Sequence, residues 1–223
     1  MQIDKPRNGI RYKDKDFSGL IDVRDKQGAY FIGLLFSDGY ISSRGSLTLT
    51  LKQSDSEILY ALAEYVNLPA DAIRAKRSKG DFPREPQLSL IMCSRDLVRG
   101  VEKYGIVKNK TKNGVPYTFP ENEELALAFL HGWLDGDGCV AQQCSIIMST
   151  HQQAEALCSL IERLGGKPVL EYFKIYPRVR LNKSSNLVLL RKMFSQDIKC
   201  ISRKRDSFYS VFNRGIIANR IPE

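Results

Sequence analysis

Two stretches of the same design constrain this chain more than anything else in it. Phe31 to Gly39 reads FIGLLFSDG, and Leu130 to Gly138 reads LHGWLDGDG. Each places glycine third, bulky apolar residues fourth and fifth, and Asp-Gly last. The preceding residues are also mostly apolar: Ala29 and Tyr30 in one, Leu125 to Phe129 in the other. A helix apolar on nearly every side is a buried helix, and Asp-Gly is where it must stop. The internal glycines, Gly33 and Gly132, each cost about 1 kcal/mol relative to alanine in a helix. What such a residue permits is the close approach of another backbone. Packing the two helices glycine against glycine brings Asp38 and Asp137 together, each at the negative end of a helix dipole, a poor place for a carboxylate. Two carboxylates so placed repel one another unless a cation lies between them. Mg²⁺ accepts carboxylate oxygens and keeps waters, one of which can become a nucleophile.

The order of elements around the two stretches also repeats. After the first, Tyr40 and Ile41 start a strand, and Leu47, Leu49 and Leu51 alternate with Thr48, Thr50 and Lys52, a half-buried strand with one polar face. Ser54-Asp-Ser-Glu57 reads as a capping box opening a helix with apolar Ile58, Leu59, Leu62 and Val66. Asp71–Arg77 and Gln87–Cys93 read as strands around a basic loop, and Ser94 caps a helix ending at Gly105. After the second stretch come strands at Cys139–Ala141 and Ser145–Ser149, a helix from His151 to Leu164, strands at Pro168–Lys174 and Tyr176–Leu181, and a helix to Phe194 that Ser184 or Ser185 can cap. The same order found twice supports an internal duplication. Residues 1–24 read as a loosely packed arm, 25–105 as the first half, 106–120 as a Lys-, Asn-, Gly- and Pro-rich linker, 121–195 as the second half and 196–223 as a basic tail. Phe208, Val211 and Phe212 could form one apolar face in that tail.

The two stretches resemble the LAGLIDADG motif of homing endonucleases, with its nine letters falling on Phe31–Gly39 and Leu130–Gly138. The eighth position, Asp in both copies, agrees with the family. The sixth is Asp135 in the second copy but Phe36 in the first, where the motif has Asp. The resemblance implies an α+β chain of two pseudo-symmetric αββαββα halves, packed through the motif helices, with antiparallel sheets forming a saddle along duplex DNA. It implies hydrolysis of both strands of a long site with divalent metal, Mg²⁺ at two ions or more, held by Asp38 and Asp137 and helped by the carbonyls of Ser37 and Gly136. Asp135 is then structural, or one step removed from the metal. Family members place Lys or Gln near each metal to order solvent; Lys52, Gln53, Arg178, Arg180, Lys183, Lys110 and Lys204 are all candidates.

The charge balance fits a polyanionic partner. Lys and Arg total 34 against 25 acidic residues, a net +9 with pI near 9.3. By the two-residue period of a strand, Arg74 and Lys76 share one face, as do Arg178 and Arg180. With Lys52, Gln53 and Lys183 they are the expected DNA contacts, because a two-stranded ribbon fits the major groove, where Arg and Gln can read base edges. Double-stranded DNA is the expected partner, with intron RNA a further possibility, and two motif helices in one chain predict a monomer. No apolar run approaches a membrane span, and the polar first residues read as neither a signal nor a transit peptide. Five cysteines with no CxxC pair argue against a disulfide framework, so the chain reads as intracellular, its thiols reduced and mostly buried. His131 and His151 lack Cys or acidic partners at zinc spacing; His131 reads as a packed residue, and Trp133 and Tyr30 as core. The alternatives are an intron RNA maturase or a non-cleaving DNA-binding regulator on the same fold, and a basic nucleic-acid-binding module whose Asp-Gly pairs are only turns.

Overall fold

The computed structural model describes residues 12–76, 85–111, 118–141 and 144–218, without the side chains of 183 and of 212–218. The elements, in order, are α1 (Ser18–Ile21), α2 (Lys26–Asp38), β1 (Tyr40–Ile41), β2 (Ser46–Lys52), α3 (Ser56–Tyr65), β3 (Ile73–Lys76), β4 (Gln87–Cys93) and α4 (Arg95–Val101), then α5 (Glu123–Asp137), β5 (Gly138–Val140), β6 (Cys144–Ile147), α6 (His151–Arg163), β7 (Pro168–Phe173), β8 (Tyr176–Leu181), α7 (Lys183–Phe194) and α8 (Ser202–Ala218). The strands make two antiparallel sheets of matching order, β1-β2-β4-β3 and β5-β6-β8-β7. This is the α+β, twice-repeated architecture expected from the sequence.

Both motif helices begin on a side-chain cap. Asp25 accepts from the Gly28 amide at 2.8 Å, and Asn122 accepts from the Leu125 amide at 3.1 Å. From Gly28 to Ser37 every residue of α2 is buried, as is every residue of α5 from Ala126 to Asp135. The two helices pack on each other through their glycines. A Cβ added to Gly33 would lie 2.0 Å from the carbonyl oxygen of Phe129, and one added to Gly132 would lie 2.0 Å from that of Tyr30. The contact is reciprocal: each glycine faces the carbonyl three residues before the other glycine. A third approach follows one turn on, where a Cβ on Gly136 would collide with the Ser37 side chain. Aromatic rings fill the flanks, with Phe36 edge-on to Trp133 at 4.6 Å between centroids.

On β2, Leu47, Leu49 and Leu51 point into the core, and Thr48, Thr50 and Lys52 onto the open face. Cross-strand register completes that face. Lys52, Gln87 and Lys76 form one row, and Thr50, Ser89 and Arg74 the next. In the second sheet the rows are Cys139, Ser145, Arg180 and Val169, and then Ile147, Arg178 and Glu171.

Several local expectations change. The arm is not loose from residue 12 onward: Phe17 and Leu20 are buried, and the Asp16 amide bonds the Val66 carbonyl at 2.9 Å. The Ser54–Glu57 capping box does not form, because α3 starts without a side-chain cap. Its acids serve the far end of the chain instead. Asp55 takes Arg203 in two parallel hydrogen bonds of 2.6 and 2.7 Å, and Glu57 accepts from the Ser202 amide at 2.9 Å. α7 is preceded by Asn182, with no side-chain cap from Ser184 or Ser185. The basic tail is a helix that belongs to the core: Phe208 is buried and stacks on Phe194 at 4.2 Å, while the Phe212 side chain lies outside the described residues. Cys93 and Cys139 are exposed, Cys158 is half-buried, and only Cys144 and Cys200 are buried.

The glycine contacts make a prediction. Gly132→Ala forces two backbones apart, and overpacking of this kind costs ~1–3 kcal/mol. At ~2–4 °C per kcal/mol for a chain of this size, thermal unfolding should show a clear fall in melting temperature. A Gly132→Ala variant that melts with the parent contradicts the packing described.

Candidate active site at the paired helix ends

Because the helices meet at Gly33, Gly132 and Gly136, their C-termini emerge side by side. The Asp38 carboxylate lies against Gly136, its Oδ2 being 3.2 Å from where a Cβ would stand. Asp137 follows directly. Both side chains reach solvent, yet protein atoms crowd them closely. That crowding, with the repulsion of Asp38, pushes the Asp137 carboxyl up to about 6, against the opposing pull of Lys110 and Lys204. Asp38 is raised too, by the same crowding, opposed by Lys110 and Lys204 and assisted by Asp55.

The two lysines occupy corresponding places. Lys110 Nζ donates to the carbonyls of Phe36, Ser37 at 2.6 Å and Gly39 at 3.0 Å. Lys204 Nζ donates to the carbonyls of Leu134 at 3.0 Å, Asp135 at 2.6 Å and Gly138 at 2.7 Å. Each ammonium therefore closes the end of one motif helix, where carbonyls have no partner within the helix and the dipole is negative. Burial pulls Lys110 down to about 8, resisted by Asp137 and Asp38. Lys204 is lowered for the same reason, resisted by Asp135 and Asp38. Hydrogen bonds hold the lysines to the backbone, and their charge acts on the carboxylates from there. The pair of carboxylates, both raised chiefly by burial and still reached by solvent, is an oxygen donor set that fits a hard divalent cation. Of the two helping carbonyls expected, Ser37's is already bonded to Lys110. Beside Asp137 lies a hollow of about 470 Å³ between Gly136–Val140 and Arg203, Lys204 and Ser207.

No family model matches this sequence, and no curated protein matches it. Solved structures do. The homing endonuclease I-DmoI, in its complex with DNA and Ca, aligns with a TM-score of 0.55 at 12% identity, over 86% of this chain and 98% of its own. Full-length DUF199/WhiA from Thermotoga maritima aligns with 0.56 at 13% identity over 92% of this chain, which spans 66% of that protein. The N-terminal LAGLIDADG domain of DUF199/WhiA aligns with 0.53 at 14% identity, over 80% and 88%. This chain has the LAGLIDADG fold.

In this chain of LAGLIDADG fold the other residues singled out from the sequence lie apart from the helix ends. Lys52 is four residues along β2 from Thr48, whose row adjoins Tyr40 and the end of α2. At ~3.3 Å per residue its Cα stands ~13 Å along the strand from that row. Lys52 pairs with Glu85 at 2.6 Å, and Gln53, exposed, opens a short 3₁₀ turn. Arg74 and Lys76 are exposed on the open face. Arg178 and Arg180 are half-buried and share Glu171, Arg180 at 3.6 Å and Arg178 closer, so this group presents one net positive charge rather than two. The Lys183 side chain lies outside the described residues. His151 is exposed, 3.2 Å from Glu155.

His131 is where the sequence reading misses most. It is buried 3.8 Å from Asp135, one helical turn on, and the buried thiol of Cys200 completes a cluster whose donor atoms lie within 4.8 Å of one another. Asp135 Oδ2 accepts from the Tyr30 hydroxyl at 2.8 Å and the Ile201 amide at 3.0 Å. Burial lowers His131, opposed by Asp135. Asp135 Oδ1 has no hydrogen-bond partner among the described residues, and the His131 ring has no well-aligned one, only the nearby Met193 carbonyl; a buried polar atom left so usually costs ~1–3 kcal/mol.

Two outcomes test this arrangement. Asp137 has a folded-state value, about 6, above the ~3.9 of an unfolded chain. It therefore opposes folding in full above about 6, and the opposition fades as pH falls toward 4. Asp137→Asn should raise the urea midpoint of the metal-free protein at pH 7.5 and leave it nearly unchanged near pH 4. Lys204→Met removes hydrogen bonds from a charged donor, worth ~1.5–3 kcal/mol in net stability. It should also raise the Asp137 titration midpoint, read by carboxyl NMR.

Proposed function

We propose that this chain is a site-specific endonuclease that hydrolyses both strands of a long duplex DNA target with divalent metal, Mg²⁺ first, acting as a monomer. The observation that carries the reading is the pair Asp38 and Asp137 at adjoining helix ends, each next to a lysine. Asp38 and Asp137 hold the metal, two ions or more across the pair. Bound there, it supplies Lewis acidity toward a phosphodiester and favours ionisation of water. Lys110 and Lys204 keep positive charge beside the position where a phosphate gains negative charge during hydrolysis. The hollow beside Asp137 gives a backbone phosphate room to approach.

Duplex DNA lies along the two open sheet faces in this reading. Arg74, Lys76, Lys52 and Gln53 contact it from one half, and Arg178, Arg180 and Lys183 from the other, some reading bases and others holding phosphates. The complex of I-DmoI with DNA and Ca supports the choice of ligand and of ion class. The alignment with WhiA means that the fold alone does not decide cleavage, and the maturase and non-cleaving regulator readings are judged by the same experiment.

Asp38→Asn and Asp137→Asn should each abolish double-strand cleavage of a target selected from a randomised DNA library in Mg²⁺. Specific binding should stay within about tenfold, ~1.4 kcal/mol. Cleavage by either variant at the parent's rate refutes the proposal, and binding by the parent without any cleavage favours the regulator or maturase. Because Asp137 must release a proton to hold metal, the rise in melting temperature on adding Ca²⁺ should shrink as pH falls through about 6.

A further inference from the structure

We propose that His131, Asp135 and Cys200 supply three ligands of a transition-metal site, zinc by its donor set, buried between the motif helices and the start of α8. The three side chains come from two separate parts of the chain. His131 and Asp135 stand at i and i+4 on α5, the spacing that puts two ligands on one helix face. Cys200 arrives 69 residues after His131, just before α8. All three are buried, and their donor atoms lie within 4.8 Å of one another. Tetrahedral zinc bonds of ~2.0–2.3 Å set ligand atoms about 3.3–3.8 Å apart. The His131 Nε2 to Asp135 Oδ2 distance is already 3.8 Å. The remaining donor separations, up to 4.8 Å, must shorten by about an ångström on binding.

The orphaned atoms are the second observation. Asp135 Oδ1 has no hydrogen-bond partner among the described residues, and the His131 ring has at most one long, poorly aligned contact, to the Met193 carbonyl. Packing alone does not call for these residues. The matching motif positions in the first half are Ile32 and Phe36, and four residues before Lys110, as Cys200 is before Lys204, stands Ile106. All three are buried and apolar. One half thus has a hydrocarbon cluster where the other has nitrogen, oxygen and sulfur donors. A divalent ion with one carboxylate and one thiolate is neutral overall, which a buried site needs. Mixed sulfur and imidazole donors favour zinc over the hard cations that suit Asp38 and Asp137. The Tyr30 hydroxyl, bonded to Asp135, orients that ligand from α2. Such an ion fixes the start of α8, and with it Lys204, against both motif helices.

The test needs no DNA and does not depend on cleavage. Full-length protein, purified without a chelating tag and dialysed into metal-free buffer, should hold one zinc ion per chain by mass spectrometry. Zinc-stripped protein titrated with Co²⁺ should show the near-ultraviolet thiolate-to-cobalt band and the visible absorption of a tetrahedral ion. Cys200→Ser should abolish the band, while Cys93→Ser, Cys139→Ser and Asp137→Asn keep it. Should Cys200→Ser fail to fold, alkylation of Cys200 in the parent gives the same answer, slowing by an order of magnitude or more with zinc bound. A folded parent with neither zinc nor the cobalt band overturns the proposal, as does a band surviving in Cys200→Ser or alkylation that zinc leaves unchanged.

Discussion

The rest of this molecule depends on two helix backbones meeting where glycine leaves room for a carbonyl. Gly33 against Phe129 and Gly132 against Tyr30 set the distance between the motif helices, and Gly136 against Ser37 keeps it short to the end. Everything at the candidate site is a consequence of that distance. Two helices that stop together put two negative dipole ends and two carboxylates in one place, and the chain answers with two lysines. The lysines are held by backbone carbonyls, not by the carboxylates, so positive charge is fixed in position before any ligand arrives. Fixed charge of this kind costs little rearrangement at the moment of reaction, which is where preorganised sites gain their advantage.

What the sequence made legible was whatever repeats locally. The motif helices, their glycines, the leucine alternation on β2 and the order of elements each depend on neighbours in the chain, so period and spacing reveal them. Lys110 was harder to see. It stands in a run of Lys, Asn and Gly that resembles any solvated linker, and only the fold carries it to the end of α2. Asp55 and Glu57 have the spacing of a capping box, but their partners, Arg203 and Ser202, are nearly 150 residues on. Arg178 and Arg180 share a face by their period, while the acid between them, Glu171, is visible only once the register of β7 on β8 is known. Gly136 carries no more signal in the sequence than any glycine before Asp-Gly.

The two halves follow one plan and differ in what fills it. The Lys52, Arg74 and Lys76 end of the first sheet is exposed, with Glu85 beside Lys52. The matching face of the second sheet shares its two arginines with Glu171, and Ile147, Phe173 and Tyr176 are exposed around them. Duplicated architecture therefore does not give duplicated chemistry. The helix ends are nearly symmetric because geometry forces them to be; the sheets, free of that constraint, are not.

The clamp of Arg203 on Asp55 also orders events in time. A ribosome delivers Asp55 long before Arg203, with a sequence separation of 148 between them. Until then Asp55, buried in the finished structure, is a carboxylate without its counter-ion. Lys204 reaches the end of α5 by the same late step, 70 residues after Leu134. Contacts of such long separation slow folding, because loop closure comes before the gain. Assembly of the two helix ends is in this way tied to completion of the chain, and a polypeptide stopped after α5 carries both carboxylates with Lys110 but without Lys204, the second cation that steadies them.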